Sequence, residues 1–275
     1  MPFTLCHPAI ILPIARRPLV PSALVMGSVA PDLPYFFGLR LRGLTHRPPG
    51  MVTVDLGFAL VLLAVYHLLL KWPLIALWPA WARGRLAVPA REFDRRTMGD
   101  LGWVMISAVI GVAGHLLWDG FTHEDGSGIG PIRRLGVLLT GGGSGYDLAQ
   151  SASGVVGGVA MALWTARWLR RAPAGPEIPP GLSPGARRLV LLACAAAAGT
   201  GGVYGATVWL PVGTPPVDFH TRTVGGVVGA VSATGLVLLA YALGRRVVAR
   251  TPAVPAGAAS VAPSADAGTS DVMGA

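Results

Sequence analysis

An all-α, polytopic bundle of membrane-spanning helices is the fold class this sequence predicts, and three observations predict it. Of 275 residues, 52% are hydrophobic, and the mean hydropathy is +0.58. Only 13% are charged, against about 25% in a soluble domain. Five apolar runs come close to the ~20 residues that a helix needs to cross the hydrocarbon. This composition excludes a disordered chain and argues against an ordinary cytosolic enzyme.

The first fifty residues hold two apolar pieces, 8–15 and 21–30, punctuated by Pro13, Pro18, Pro21 and Pro31. Pieces of about ten residues are too short to span, so short re-entrant or interfacial helices are expected there. The first span begins near Val54, reaches Leu70 and carries Asp55 and His67. Trp72–Trp81 is broken by Pro73 and Pro79 and belongs at the headgroup level with its tryptophans. Four more spans are expected: Leu101–Trp118, Leu148–Leu169, Leu189–Leu210 and Thr223–Gly244. Gly154/Gly158, Gly201/Gly205 and Gly225/Gly229 form GxxxG pairs that suggest close packing of the last three. After Thr251 the chain is Ala, Pro, Ser and Gly with two acids, a disordered tail. The expected organisation is a 1–171 membrane unit, two further spans over 172–250, and the tail 251–275.

The formal charge is +9, and Lys71 is the only lysine among 22 cations. Basic loops facing anionic lipid headgroups account for that charge. No zinc-finger or RNA-binding motif is present, so membrane lipids and not nucleic acid are the expected partners. Cys6 and Cys194 are too few for a disulfide framework, and no ordinary signal peptide is expected. With five spans, residues 1–50 share a side with the 119–147 and 211–222 loops, and these hold eight Lys/Arg. The opposite side holds fourteen and is expected to be cytoplasmic. The first fifty residues then lie on the extracytoplasmic side of the cell membrane.

Ionisable groups at membrane depth are expensive and by default mark a functional site. His7, Asp32 and His46 fall in the first fifty residues, and His115, Asp119 and His123 follow as HxxxDxxxH. His115 and Asp119 are one helical turn apart and share a face. Two imidazoles and a carboxylate at a helix end are a zinc-like ligand set, and an open position on such a metal activates water. The five-span count returns the first fifty residues to the side of His123, so all six form one candidate metal set. Residue by residue, a structural reading stands beside this one. His115 would then bond a carbonyl, and Asp119 would cap a helix or pair with Arg133 or Arg134. His67 reads as a packing histidine and His220, near Asp218, as solvated. Cys6 reads as a buried thiol, and Glu124 is a remote candidate for a general base. Arg40, Arg42 and Arg47 bracket His46, either as a phosphate clamp or as contacts to lipid phosphates. Gly141–Gly143 lacks the GK[ST] ending of a phosphate loop and reads as a connection.

The segments MPFTLCHPA, PSALVMGSVAPDLPYF, THRPPG, YHLLLKWPLIAL, GHLLWDGFTHEDG and YDLAQSASGVVGG resemble the bacterial membrane-protein family called domain of unknown function 4184. The likeness runs from Met1 to about Arg171, and that family implies no established activity. More distantly, the pattern is similar to membrane-bound metal-dependent hydrolases and, through them, to zinc-dependent phospholipase C. That resemblance implies zinc ligation by His7, by Asp32 with His46, and by His115 with Asp119, with His123 near the next ligand. The later HxxxE pair of those enzymes is absent, so one or two zinc ions are implied instead of three. The function expected is a membrane-embedded metal-dependent hydrolase of a phosphoester or lipid-like substrate. Two alternatives remain: a non-catalytic membrane protein with a structural metal site, and a metal- or ion-handling transporter. The scarcity of ionisable residues in the last two spans counts against the transporter.

Overall fold

The computed structural model describes residues 4–94, 100–123, 130–142, 144–208 and 219–250. The expected tail, the Glu124–Asp125 turn and the loop carrying Asp218 lie outside the described residues, as does the side chain of His220. Among the described residues every regular element is helical.

The chain opens with a 3-10 helix, Thr4–Ile14, that contains Pro8 and Pro13. Proline has no N–H for an i→i−4 bond, which is why a regular α-helix does not form here. After a turn, α1 (Pro21–Val29) runs back with Pro21 in its first turn. The two short helices are those expected here, and they form a hairpin that begins and ends at one end of the bundle and, instead of lying over that end, runs alongside the later helix Leu101–Thr122. A 3-10 turn, Ala30–Asp32, leads into three one-turn helices, α2 (Leu33–Phe36), α3 (Arg42–Thr45) and α4 (Pro48–Met51). Then α5 (Val54–Val65) passes through a π-turn, Tyr66–Leu70, into α6 (Lys71–Ala76), and α7 (Ala80–Asp94) follows. Next come α8 (Leu101–Thr122), α9 (Gly130–Thr140), α10 (Ser144–Arg171), α11 (Pro184–Thr207) and α12 (Phe219–Arg250).

Among the described residues, four stretches are long and apolar enough to cross a membrane: Pro48–Ala76, Leu101–Thr122, Pro184–Thr207 and Thr221–Val248. The fifth expected span exists as α10, a 28-residue helix exposing Leu148, Val155, Val156, Val159 and Leu163. Gln150, Ser151, Ser153 and its glycines lower the hydropathy of the helix, and α10 is not among the four.

The core is a three-helix contact. α1 lies alongside α8 in the same direction: the Val20 amide donates to Ser107 Oγ near one end (2.9 Å), and Ser28 meets His115 eight residues further along both helices. Gly27 and Gly111 make this approach possible, because a Cβ on either would overlap the backbone of the other helix. Antiparallel to both, α5 adds Leu63 against Val20, Ala23 and Val104, and Ala59 against Ala30 and Ala108. The glycine pairs of the last two spans face each other, Gly201 across from Gly229 and Gly205 from Gly225, and join α11 to α12. Gly157 and Gly158 of α10 instead receive Cys6, whose thiol donates to the Gly154 carbonyl (3.0 Å). That contact seats the opening 3-10 helix on α10.

Lys71 is buried, donating to the Ala90 carbonyl (3.2 Å) and pairing with Asp94. His67 is a packing histidine, stacked on Phe93 and bonded through Nε2 to Ser22 Oγ (3.0 Å).

Candidate metal centre

All six expected residues meet at the end of the core where α8 stops. His7 comes from the opening 3-10 helix and Asp32 from the turn after α1. His46 follows α3, His115 and Asp119 lie on the last turns of α8, and His123 ends that helix with extended backbone. The i, i+4 spacing of His115 and Asp119 puts both on the α8 face that α1 covers, and both are fully buried.

Two overlapping ligand groups form, His7–Asp32–His115 and His46–His115–Asp119, each with donor atoms within 4.8 Å of one another. From His46 Nε2 it is 3.2 Å to Asp32 Oδ1, 3.4 Å to Asp119 Oδ2 and 3.4 Å to His115 Nε2. From His115 Nε2 it is 3.6 Å to Asp119 Oδ2 and 3.7 Å to Asp32 Oδ1. Bonds of about 2.0–2.2 Å to a tetrahedral cation place neighbouring donors about 3.3–3.6 Å apart. The spacing of these buried donors therefore fits a divalent ion.

Hydrogen bonding supports the same fit. His115 Nδ1–H donates to the Ser28 carbonyl (2.8 Å) and His7 Nδ1–H to the Thr4 carbonyl (3.2 Å). Both rings then present Nε2 to the carboxylates, the arrangement that holds metal-ligating histidines. The rings stack with centroids 4.1 Å apart. Thr4 Oγ1 donates to Asp32 Oδ2 (2.5 Å), while Asp32 Oδ1, facing His46 and His115, has no hydrogen-bond partner. A buried oxygen without a donor is costly unless a cation takes it. Burial opposes ionisation of Asp32, yet His115 and His46 outweigh it and hold the carboxyl below the usual range. Burial likewise lowers His46, but Asp119 and Asp32 lift it above the ordinary imidazole range.

His123 stands outside both groups. Gln150 Nε2 donates to its Nε2 (2.6 Å), and its Nδ1 lies 3.2 Å from Asp119 Oδ1, which also faces His7 Nε2 at 3.2 Å. The ring is thus placed to orient Asp119. Asp119 neither caps α8 nor pairs with Arg134; its cationic neighbour is Arg42, with Nη2 3.4 Å from Oδ2. The side chain of Arg133 lies outside the described residues. Arg42 is 20% exposed and His123 13%, so they mark the mouth of an otherwise buried centre. Arg40 and Arg47 are exposed on the same segment, beside Phe37, Leu39 and Leu44.

Sequence reasoning missed Thr4, Thr45 and Gln150. Thr45 Oγ1 lies 2.8 Å from His46 Nδ1, and the adjacent Thr-His pair was its only signal. Gln150, 27 residues from His123, carries none. Asp55, one turn from Ala59, is fully buried with neither oxygen hydrogen-bonded.

The chain belongs to the family described as Domain of unknown function (DUF4184), whose profile matches residues 1–243. The match runs through α11 and most of α12, beyond the Arg171 where the motif likeness ends. No curated protein and no solved structure matches the chain.

Proposed function

We propose that this chain is a membrane-embedded, metal-dependent hydrolase acting on a phosphoester or lipid-like substrate at the bilayer surface. The observation that supports it most is the set of buried imidazole and carboxylate donors at 3.2–3.7 Å spacing, with a partly exposed arginine at their edge. A divalent cation, with zinc the best match to this donor set, would supply Lewis-acid polarisation of an ester and activation of water. His7, Asp32, His46, His115 and Asp119 are the residues to hold one or two such ions. The Thr4 and Ser28 carbonyls fix the rings of His7 and His115, and His123 orients Asp119. Asp119 lies three residues before the end of α8, about 4–5 Å along the axis. That depth suits a substrate whose ester sits among lipid headgroups. With α10 taken as a fifth crossing, the cation count makes this the extracytoplasmic face.

A second reading is a structural metal that ties the N-terminal hairpin to α8, favoured by the depth at which His115 and Asp32 are buried. The experiment that separates the two uses detergent-purified protein loaded with Zn2+. It is assayed against bis-p-nitrophenyl phosphate and against phosphatidylglycerol, with Asp119→Asn alongside. Metal-dependent turnover that Asp119→Asn abolishes supports hydrolysis. Stoichiometric metal without turnover on either substrate supports the structural reading.

A further inference from the structure

We propose that Arg42 competes with a divalent cation for the Asp119 carboxylate. Loading the centre would then release the Arg42 guanidinium to its mouth as a phosphate-binding group. This rests on the metal reading of the site. Arg42 Nη2 sits 3.4 Å from Asp119 Oδ2, the same oxygen that faces His46 Nε2 at 3.4 Å and His115 Nε2 at 3.6 Å. A dication bound by that triad would share this carboxylate oxygen with the guanidinium, and two positive charges converging on one buried oxygen repel each other. The one held less firmly is displaced.

Of the two, Arg42 is the one with an exposed side. The imidazoles of His7 and His115 are fixed by backbone carbonyls, whereas Arg42 extends from the one-turn helix α3 and is partly exposed. Arg40 and Arg47, near it in the chain, are also exposed, so the segment that carries Arg42 is cationic. A planar guanidinium beside a dication matches the oxygens of a phosphate, which it engages through paired N–H donors. The ligand class is therefore a phosphate oxyanion, whether free in solution or carried on a lipid headgroup. Phe37, Leu39 and Leu44, exposed along the same segment, fit a mouth at the headgroup level.

The test uses the full chain in dodecyl maltoside, stripped with chelator and titrated with Co2+ by visible absorbance. Removing the competitor should tighten Co2+ binding. A hydrogen bond between charged groups corresponds to about a tenfold change or more. Arg42→Gln is thus expected to bind Co2+ roughly tenfold more tightly than wild type and, once loaded, inorganic phosphate roughly tenfold more weakly. Arg188→Gln, at the start of α11, should change neither. Dihexanoyl-phosphatidylglycerol replaces inorganic phosphate in a parallel arm. A larger Arg42-dependent effect there identifies the headgroup as the source, and an effect with inorganic phosphate alone identifies the free anion. Should Arg42→Gln not fold, Arg42→Lys should keep wild-type Co2+ affinity and lose phosphate affinity. Unchanged or weaker Co2+ binding by folded Arg42→Gln overturns the competition, and unchanged phosphate affinity overturns the released clamp. Wild type that takes up no Co2+ is a different failure, that of the metal reading itself.

Discussion

Replacing Gly111 by alanine tests whether the close crossing of α1 and α8 builds the site. A Cβ at Gly111 would overlap the Leu24 carbonyl and press on the Ser28 amide, and neither backbone group can rotate away. Gly102, on the same helix, has nothing within 4 Å of its ideal Cβ. Both substitutions gain helix propensity, about 0.5–1 kcal/mol at Gly111 in the helix interior and less at Gly102 in the first turn. Against that gain, overpacking of about 1–3 kcal/mol opposes Gly111→Ala alone. At about 2–4 °C per kcal/mol for a chain of this size, the two variants should differ by several degrees in Tm. Gly102→Ala should lie at or above wild type. The site should feel the change too, because Ser28, whose carbonyl holds the His115 ring, is one of the residues pushed. Thermal unfolding in dodecyl maltoside, followed by tryptophan fluorescence, gives the Tm values, and Co2+ titration of the same samples gives the metal affinities. Equal stability and equal Co2+ affinity for the two variants would refute the argument that this crossing positions the ligands.

Four further outcomes are expected. Asp119→Asn should lower metal affinity by two orders of magnitude or more, since the His46–His115–Asp119 group loses its anion and an unpaired buried charge pattern is left behind; wild-type metal content in that variant would exclude Asp119 as a ligand. Asp55→Asn should leave metal content intact and keep or raise Tm, because an amide at this depth costs less than a carboxylate with both oxygens unpartnered; a large fall in Tm would show that the carboxylate has a partner. Although burial pulls His46 down, Asp119 and Asp32 keep it protonated above the ordinary range, so a cation must displace a proton there. Co2+ affinity should rise with pH through and above that range, and a flat profile would remove His46 from the ligand set. Single cysteines introduced after Arg47 and near Ser127 should label from the same face of sealed vesicles, and labelling from opposite faces would break the topology.

Much of this arrangement is legible in the sequence, and particular residues show where legibility stops. Proline spacing in the first thirty residues is a local steric signal, so the short helices of the N-terminal hairpin are readable before any fold is known. His115 and Asp119 share a face because helical geometry fixes a four-residue repeat. That the N-terminal residues join them depends only on the number of crossings in between. The cation beside Asp119 is different. Arg134 is near in sequence, yet Arg42, 77 residues away, makes the contact, because its side chain reaches from α3 to the end of α8 while Arg134 on α9 is exposed. His67 likewise bonds Ser22 and not Asp55, since the hairpin places α1 against the π-turn. Long-range pairings of polar groups leave no periodicity to read. The same is true of Gln150 on His123 and Thr4 on Asp32.

The central claim is that His7, Asp32, His46, His115 and Asp119 hold a divalent metal. Elemental analysis of purified wild-type protein, beside His115→Ala, tests it most directly. The account predicts one or two equivalents of a divalent transition metal in wild type and a loss of most of it in His115→Ala, with both proteins folded. Well-folded wild-type protein that carries no stoichiometric metal and takes none up from a Zn2+-containing buffer would contradict it.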